Sequence, residues 1–90
     1  MNAGQIIWTQ LTLGTKMACG ARLPLAGDDG IHFVVGRGNS TKIQIKLNRG
    51  TDTYEVRRWH IRGANATVKE EQTDVYADRL NDVVYHMVNK

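Results

Sequence analysis

Three histidines and one cysteine are the side chains of this 90-residue chain that most readily bind a transition metal, and the cysteine is also its most nucleophilic group. His32, His60 and His86 lie far apart in the sequence, and no two of them have the spacing of metal ligands on one element. Cys19 has no activating partner in its neighbourhood. The two pairs of adjacent carboxylates point apart in a strand or turn, unlike catalytic carboxylates that converge on one bond. The sequence therefore predicts no enzyme, no metal site and no cofactor.

Cationic side chains are concentrated in the middle of the chain. Residues 37–62 hold seven Lys or Arg against two Asp or Glu, a net charge of +5, whereas the whole chain carries only +3. Such a cluster suits the phosphate backbone of a nucleic acid, because Lys and Arg release condensed counterions when they bind it. It also suits an ordinary solvated sheet face, where charge opposes edge pairing. The candidate binding residues for a nucleic acid or a protein partner are Lys42, Lys46, Arg57, Arg58, His60 and Arg62.

Residues 42–47 predict a strand with one buried face and one wet face. Ile43, Ile45 and Leu47 alternate with two lysines and a glutamine, and this period of two is typical of a half-buried strand. If Ile45 pairs with Val56 of the next strand, the basic side chains share the outer face of the sheet.

The segment 54–62 raises a problem of parity. Tyr54 and Val56 share one parity, while Trp59 and Ile61 share the other, so a regular strand cannot bury both pairs on one face. An extra residue would solve this, and we predict a β-bulge at residues 57–58. The alternative is an unbroken strand with Trp59 on the outer face. Burial of the large indole favours the bulge.

The ends of the chain predict helices. Asn2 and Gln5 have the spacing of a capping box, which predicts a short first helix that ends near Gly14. Alternation then predicts strands over 17–25, 31–35 and 66–70, with a turn at 27–30. Thr73 is the expected cap of the last helix. Its apolar stripe consists of Tyr76, Leu80, Val83, Val84 and Met87.

Three aspartates recur every four residues on that expected last helix. Asp74, Asp78 and Asp82 would form one acidic stripe, although like charges at this spacing disfavour the helix slightly. A basic protein partner is one explanation of the stripe, and a solvated helix face is the other.

Together these elements predict a single α+β domain over residues 1–90. The expected fold is an antiparallel sheet of about five strands with an N-terminal and a C-terminal helix on one face. No segment has the length of a membrane span, and the first residues lack a secretory pattern. We therefore expect a cytoplasmic protein with no membrane contact.

Most of the chain from residue 17 onward also resembles a family of short proteins carried by bacteriophages and by bacterial genomes with integrated elements. The resemblance rests on the runs KLN at 46–48, DTYEV at 52–56, IRG at 61–63 and DVYADRL at 74–80, with a weaker match over 17–21 and the turn at 28–30. It implies a phage or mobile-element origin and a location in the host cytoplasm. It carries over no catalytic or binding residue.

The sequence therefore favours a non-enzymatic protein that binds a bacterial host protein or a protein–nucleic acid complex. An inhibitor of a host defence system, of the anti-CRISPR type, is the concrete form of this hypothesis. A nucleic-acid-binding module is the second hypothesis. A subunit that self-associates is the third, and the chain is accordingly expected to be a monomer or a homodimer.

Overall fold

An antiparallel meander of five strands forms the framework of the protein. The computed structural model describes residues 2–89, and its sheet has the strand order β1-β2-β3-β4-β5. The strands are β1 (Arg22–Ala26), β2 (Gly30–Val35), β3 (Thr41–Asn48), β4 (Thr53–Arg62) and β5 (Asn65–Val75). The helices are α1 (Ala3–Gln10), α2 (Leu13–Cys19) and α3 (Leu80–Val88), and a 3-10 turn (Ala77–Arg79) leads into α3. The predicted α+β class, with helices from both ends of the chain, is confirmed.

One hydrophobic core lies between the helices and one face of the sheet, which we call the inner face. The inward positions predicted for β2 and β3 are confirmed, since Ile31, Phe33, Val35, Ile43 and Ile45 are buried and Leu47 is partly buried against the core. Trp8 of α1 packs edge-on against Phe33, with ring centroids 5.3 Å apart. The core side chains are Ile7, Leu11, Cys19, Ile31, Phe33, Val35, Ile43, Ile45, Tyr54, Val56, Val75, Leu80, Val83, Val84 and Met87. The opposite, outer face carries no helix in the part of the chain that the structure describes.

The first helix has the predicted capping box but ends earlier than predicted. The Asn2 side chain accepts from the Gln5 amide at 2.9 Å, and the Gln5 side chain accepts from the Asn2 amide at 3.0 Å. The helix stops at Gln10 rather than near Gly14, and α2 begins after Thr12, whose side chain caps it. Asn81 fills the break between the two helices, because it donates to the Gln10 carbonyl and accepts from the Thr12 amide.

The strand predicted over residues 17–25 is wrong in its first half. Residues up to Cys19 belong to α2, and Gly20 ends that helix with a φ of 64°. Cys19 is buried by the helix, whereas Met17 is 73% exposed. Apolar residues two apart fit either structure over so short a segment, and the Thr12 cap and the Gly20 stop favour the helix.

The start of the last helix was also predicted too early. β5 continues to Val75, Tyr76 is exposed, and α3 begins only at Leu80. The rest of the predicted apolar stripe is buried as expected. Asp74, Asp78 and Asp82 lie in β5, in the 3-10 turn and in α3, respectively, so the predicted acidic stripe along one helix is wrong.

The predicted bulge in β4 is wrong, although the predicted pairing of Ile45 with Val56 is confirmed. β3 and β4 pair without interruption from Asn48 opposite Thr53 to Thr41 opposite His60. The irregularities lie in β5, where one of them leaves Lys69 as an extra residue. β5 is an edge strand, so an extra residue there disturbs one ladder, whereas in β4 it would disturb two.

Trp59 consequently lies on the outer face, as the alternative to the bulge required. It is half-buried, and its indole Nε1 donates to Gln44 Oε1 at 3.0 Å. Val68, which is paired with Trp59, also lies on the outer face and is 40% exposed. The hydrogen bond and partial burial reduce the free-energy cost of keeping the indole out of the core.

Within residues 2–89, no helix combines the length and apolar character needed to span a lipid bilayer.

Close packing of α1 on the β1–β2 turn predicts opposite effects of two Gly→Ala substitutions. A Cβ on Gly4 would lie 2.3 Å from the Gly30 carbonyl oxygen, while a Cβ on Gly14 would have no neighbour closer than 4.0 Å. Both glycines occupy the second position of a helix. We expect Gly4→Ala to lower the free energy of unfolding by about 1–3 kcal/mol. Gly14→Ala should leave it unchanged or raise it by up to about 0.5 kcal/mol. Urea denaturation measures both, and equal effects of the two substitutions would contradict the packing of α1.

Candidate functional site

The unbroken β4 strand divides the six predicted binding residues between the two faces of the sheet. Lys42, Lys46 and Arg57 lie on the outer face, at the parity of Trp59. Arg58, His60 and Arg62 lie at the opposite parity, which is the parity of the buried Val56. The single basic strip predicted for the outer face is therefore wrong, because it depended on the β4 bulge.

On the outer face, carboxylates offset much of the positive charge. Arg57 Nη2 lies 3.2 Å from Glu55 Oε1, and Arg57 Nε donates to Glu71 Oε2. Lys46 is paired across the strands with Glu55. Lys42 is half-buried next to Trp59 in the pairing of β3 with β4. Little unbalanced positive charge remains on this face to attract an anion.

On the inner face, the other three predicted residues come together beyond the region that the helices cover. They line an open cavity of about 490 Å³ with three residues of β5. We call this cavity the basic depression, and its lining residues are Arg58, His60, Arg62, Asn65, Thr67 and Lys69. None of these six residues carries a carboxylate, so the depression presents hydrogen-bond donors and positive charge to solvent.

Arg58 lies at the end of the basic depression that is nearest the core along β4. Its Nη2 lies 3.8 Å from Glu70 Oε1, and both side chains are less than one-third exposed. At this distance the contact is an ion pair rather than a hydrogen bond. The Arg58 Nε is buried and has no hydrogen-bond partner among the described residues. The charge of Arg58 is thus partly balanced and held in place.

Arg62 and Lys69 supply the unbalanced charge. Both side chains are exposed, and neither forms a salt bridge within residues 2–89. Arg62 is paired with Asn65 across the hairpin, and His60 is paired with Thr67. The alternation of the two strands therefore places polar or charged side chains at every inner-face position near the end of the hairpin.

The topology adds further positive charge at the same end of the sheet. In a meander, the β2–β3 loop and the β4–β5 turn lie at one end, so Arg37 lies near the end that carries Arg62. Arg22 holds that loop, because its Nη1 donates to the carbonyls of Gly20 at 2.9 Å and Gly36 at 2.7 Å. At the other end of the sheet, Arg49 forms an ion pair with Asp29 at 3.4 Å. The charges are thus segregated along the strands.

The sequence missed half of the basic depression. Asn65, Thr67 and Lys69 belong to β5, and only the β4–β5 register brings them beside the β4 residues. The signal was present in their alternation, since residues 65, 67 and 69 share one parity. Whether this parity brings all three residues to the inner face depends on the irregularity at Lys69. The sequence pattern does not show where that irregularity lies.

The remaining reactive side chains do not converge. Cys19 is buried in the core, and burial raises the pKa of its thiol, although the side-chain amide of Asn89, 4.0 Å from the sulfur, acts in the opposite direction. A raised pKa leaves less of the nucleophilic thiolate at neutral pH. Among the described residues, no group of three or more His, Cys, Asp or Glu side chains is arranged to hold a metal ion.

In comparisons with known proteins, no family model matches the chain, and no curated protein or solved structure is significantly similar to it. The resemblance to phage-borne proteins therefore stays a prediction. The residues of the protein and their geometry are then the basis for its function.

Proposed function

We propose that this protein is a non-enzymatic nucleic-acid-binding module and that its basic depression contacts the phosphate backbone. The observation that supports this most strongly is the convergence of three Lys or Arg side chains and one histidine in a cavity that no carboxylate lines. Such a surface attracts the phosphate groups along the backbone of a nucleic acid.

The exposure of Arg62 and Lys69 favours binding of an extended anion. Their charges are already in water, so a phosphate can approach them without a large desolvation cost, and counterion release supplies the driving force. Asn65 and Thr67 add neutral donors, which commonly bind phosphate oxygens and fix the position of the backbone. A single small anion would use only part of this surface.

The segregated charges would orient the nucleic acid. Asp28, Asp29 and Asp52 lie in the turns at the opposite end of the sheet. Their repulsion of phosphate disfavours binding at that end, while the basic end attracts it. The proposed nucleic-acid site therefore lies on the inner face, whereas the sequence placed it on the outer face.

Removal of the exposed charges should weaken binding and reduce its dependence on salt. For Arg62→Ala combined with Lys69→Ala, we expect the affinity for a labelled oligonucleotide to fall on the order of 10-fold at roughly 50 mM salt. The slope of log K against log salt should become shallower by roughly 1 to 2, about one for each lost cation that neutralises a phosphate. Fluorescence anisotropy over a salt series measures both.

A matched control removes the same charge from the other end of the sheet. Lys46→Ala combined with Arg49→Ala should change the affinity by less than about 2-fold, because neither residue lines the basic depression. Equal losses in the two double variants would indicate a dependence on net charge alone. That result, or no binding to any oligonucleotide at about 50 mM salt, would refute the proposed site.

The outer face supports a second candidate function, binding of a protein partner. No helix covers this face within residues 2–89, and it displays Trp59 and Ile61 half-buried beside Val68, which is 40% exposed. Aromatic and aliphatic side chains on an open sheet are typical of the centre of a protein interface. With the predicted phage origin, this favours a host protein as the partner, and inhibition of a host defence system remains part of this second proposal.

Two adjacent residues of β5 give a matched test of the second candidate. Val68→Lys places a charge on the outer face, and Thr67→Lys places the same charge on the inner face, at exposed positions in both cases. In affinity purification from nuclease-treated bacterial lysate, we expect a stoichiometric partner to be lost with Val68→Lys and retained with Thr67→Lys. Mass spectrometry identifies the partner. The absence of any protein above background, or equal loss with both variants, would count against the outer face.

A further inference from the structure

At its turn, the β4–β5 hairpin extends by one cross-strand pair beyond its last hydrogen bond to the chain entering β3, and we call the end of this hairpin, residues 60–67, the ribbon. The last pair of β3 with β4 is Thr41 with His60, and the Ile61 amide still donates to the Ser40 carbonyl at 2.7 Å. After this point only β4 and β5 pair, as far as Arg62 with Asn65. Gly63, with a φ of 59°, closes the turn. Residues 62–69 are exposed throughout, so the turn and the β5 side of the ribbon are accessible, while His60 and Ile61 of β4 are half-buried.

The side chains on the inner face of the ribbon can do more than bind phosphate. Arginine forms two parallel hydrogen bonds with the major-groove edge of guanine, and asparagine does the same with adenine. Arg62 and Asn65 form the cross-strand pair next to the turn, with His60 and Thr67 as the next pair. The planar guanidinium of Arg62 and the amide of Asn65 can therefore pair with base edges as well as with phosphate oxygens.

We infer that the nucleic acid is duplex DNA and that the ribbon enters its major groove with the basic depression facing the bases. In this arrangement Arg62 and Asn65 read base edges, and Lys69 and Arg58 contact the flanking phosphates. The major groove of B-form DNA is about 12 Å wide and admits a two-stranded β-ribbon. This inference rests on the proposed nucleic-acid function and specifies its target and its mode of recognition.

The placement of aromatic side chains favours duplex DNA over a single strand. Proteins that bind single strands stack the bases on exposed aromatic rings. The six residues that line the basic depression include no Phe, Tyr or Trp, and Trp59 lies on the opposite face of the hairpin. Double-stranded RNA fits less well, because its major groove is too deep and narrow for side chains to read.

A conservative substitution separates base reading from phosphate binding. Arg62→Lys keeps the positive charge but loses the planar pair of donors. On a duplex selected from a random pool by the wild-type protein, we expect Arg62→Lys to weaken binding about 10-fold with an unchanged salt slope. The matched control is Lys69→Arg, which preserves a phosphate contact and should change the affinity less than about 2-fold.

A second measurement leaves the protein unaltered. Replacement of the guanines of the selected duplex by 7-deazaguanine removes the N7 acceptor in the major groove but keeps the phosphates and the base pairing. A loss of affinity of about 5-fold or more would support major-groove reading.

The outcomes distinguish this inference from the broader proposal. A selected motif that contains guanine, with the expected losses for Arg62→Lys and for 7-deazaguanine, supports reading of the groove. Salt-dependent binding without a motif, tighter binding to single strands or to RNA, or wild-type affinity of Arg62→Lys would overturn groove reading and leave phosphate binding intact. No binding to any nucleic acid at low salt would overturn both.

Discussion

Unbroken pairing of β4 with β3 decides on which face each β4 side chain lies. β4 has a hydrogen-bonded neighbour on both sides, so an extra residue in it would interrupt two ladders. The irregularities lie instead in the edge strand β5, at Lys69 and next to Asp74, whose φ is 56°. Strict alternation then places Arg57 and Trp59 on the outer face and Arg58 on the inner face. The division of the basic residues between the faces follows from this one constraint.

The helices cover only part of the inner face, and this leaves room for the basic depression. The buried residues of α3 share one core with Tyr54 and Val56, and along β4 this hydrophobic core ends at Val56. Further along β4, the inner-face positions hold Arg58 and other polar residues. Polar neighbours or water can satisfy the hydrogen-bonding groups of these side chains. The same strand therefore contributes to the core at one end and to a polar binding surface at the other.

The strand β3, with one buried and one wet face, was predictable from the alternation at 42–47, and the inward residues of β2 were predictable from the alternation at 31–35. Trp59 was placed wrongly because its size suggested burial, whereas its face depends on which strand accommodates the irregularity. That choice depends on neighbouring strands and not on the residues of β4 alone. For the same reason half of the candidate site was missed, since Lys69 joins it only through the β4–β5 register. Cys19 was assigned to a strand because a few residues do not distinguish the two periods.

Backbone nuclear Overhauser effects between β3 and β4 test the unbroken register most directly. An unbroken register predicts cross-strand contacts that keep one-to-one pairing along the whole hairpin, with Ile45 opposite Val56, Ile43 opposite Arg58 and Lys42 opposite Trp59. Contacts that shift by one residue beyond Arg57, and so place Ile43 opposite Trp59, would show a bulge in β4. That result would bring Trp59 to the inner face and contradict the basic depression on which the proposed function rests.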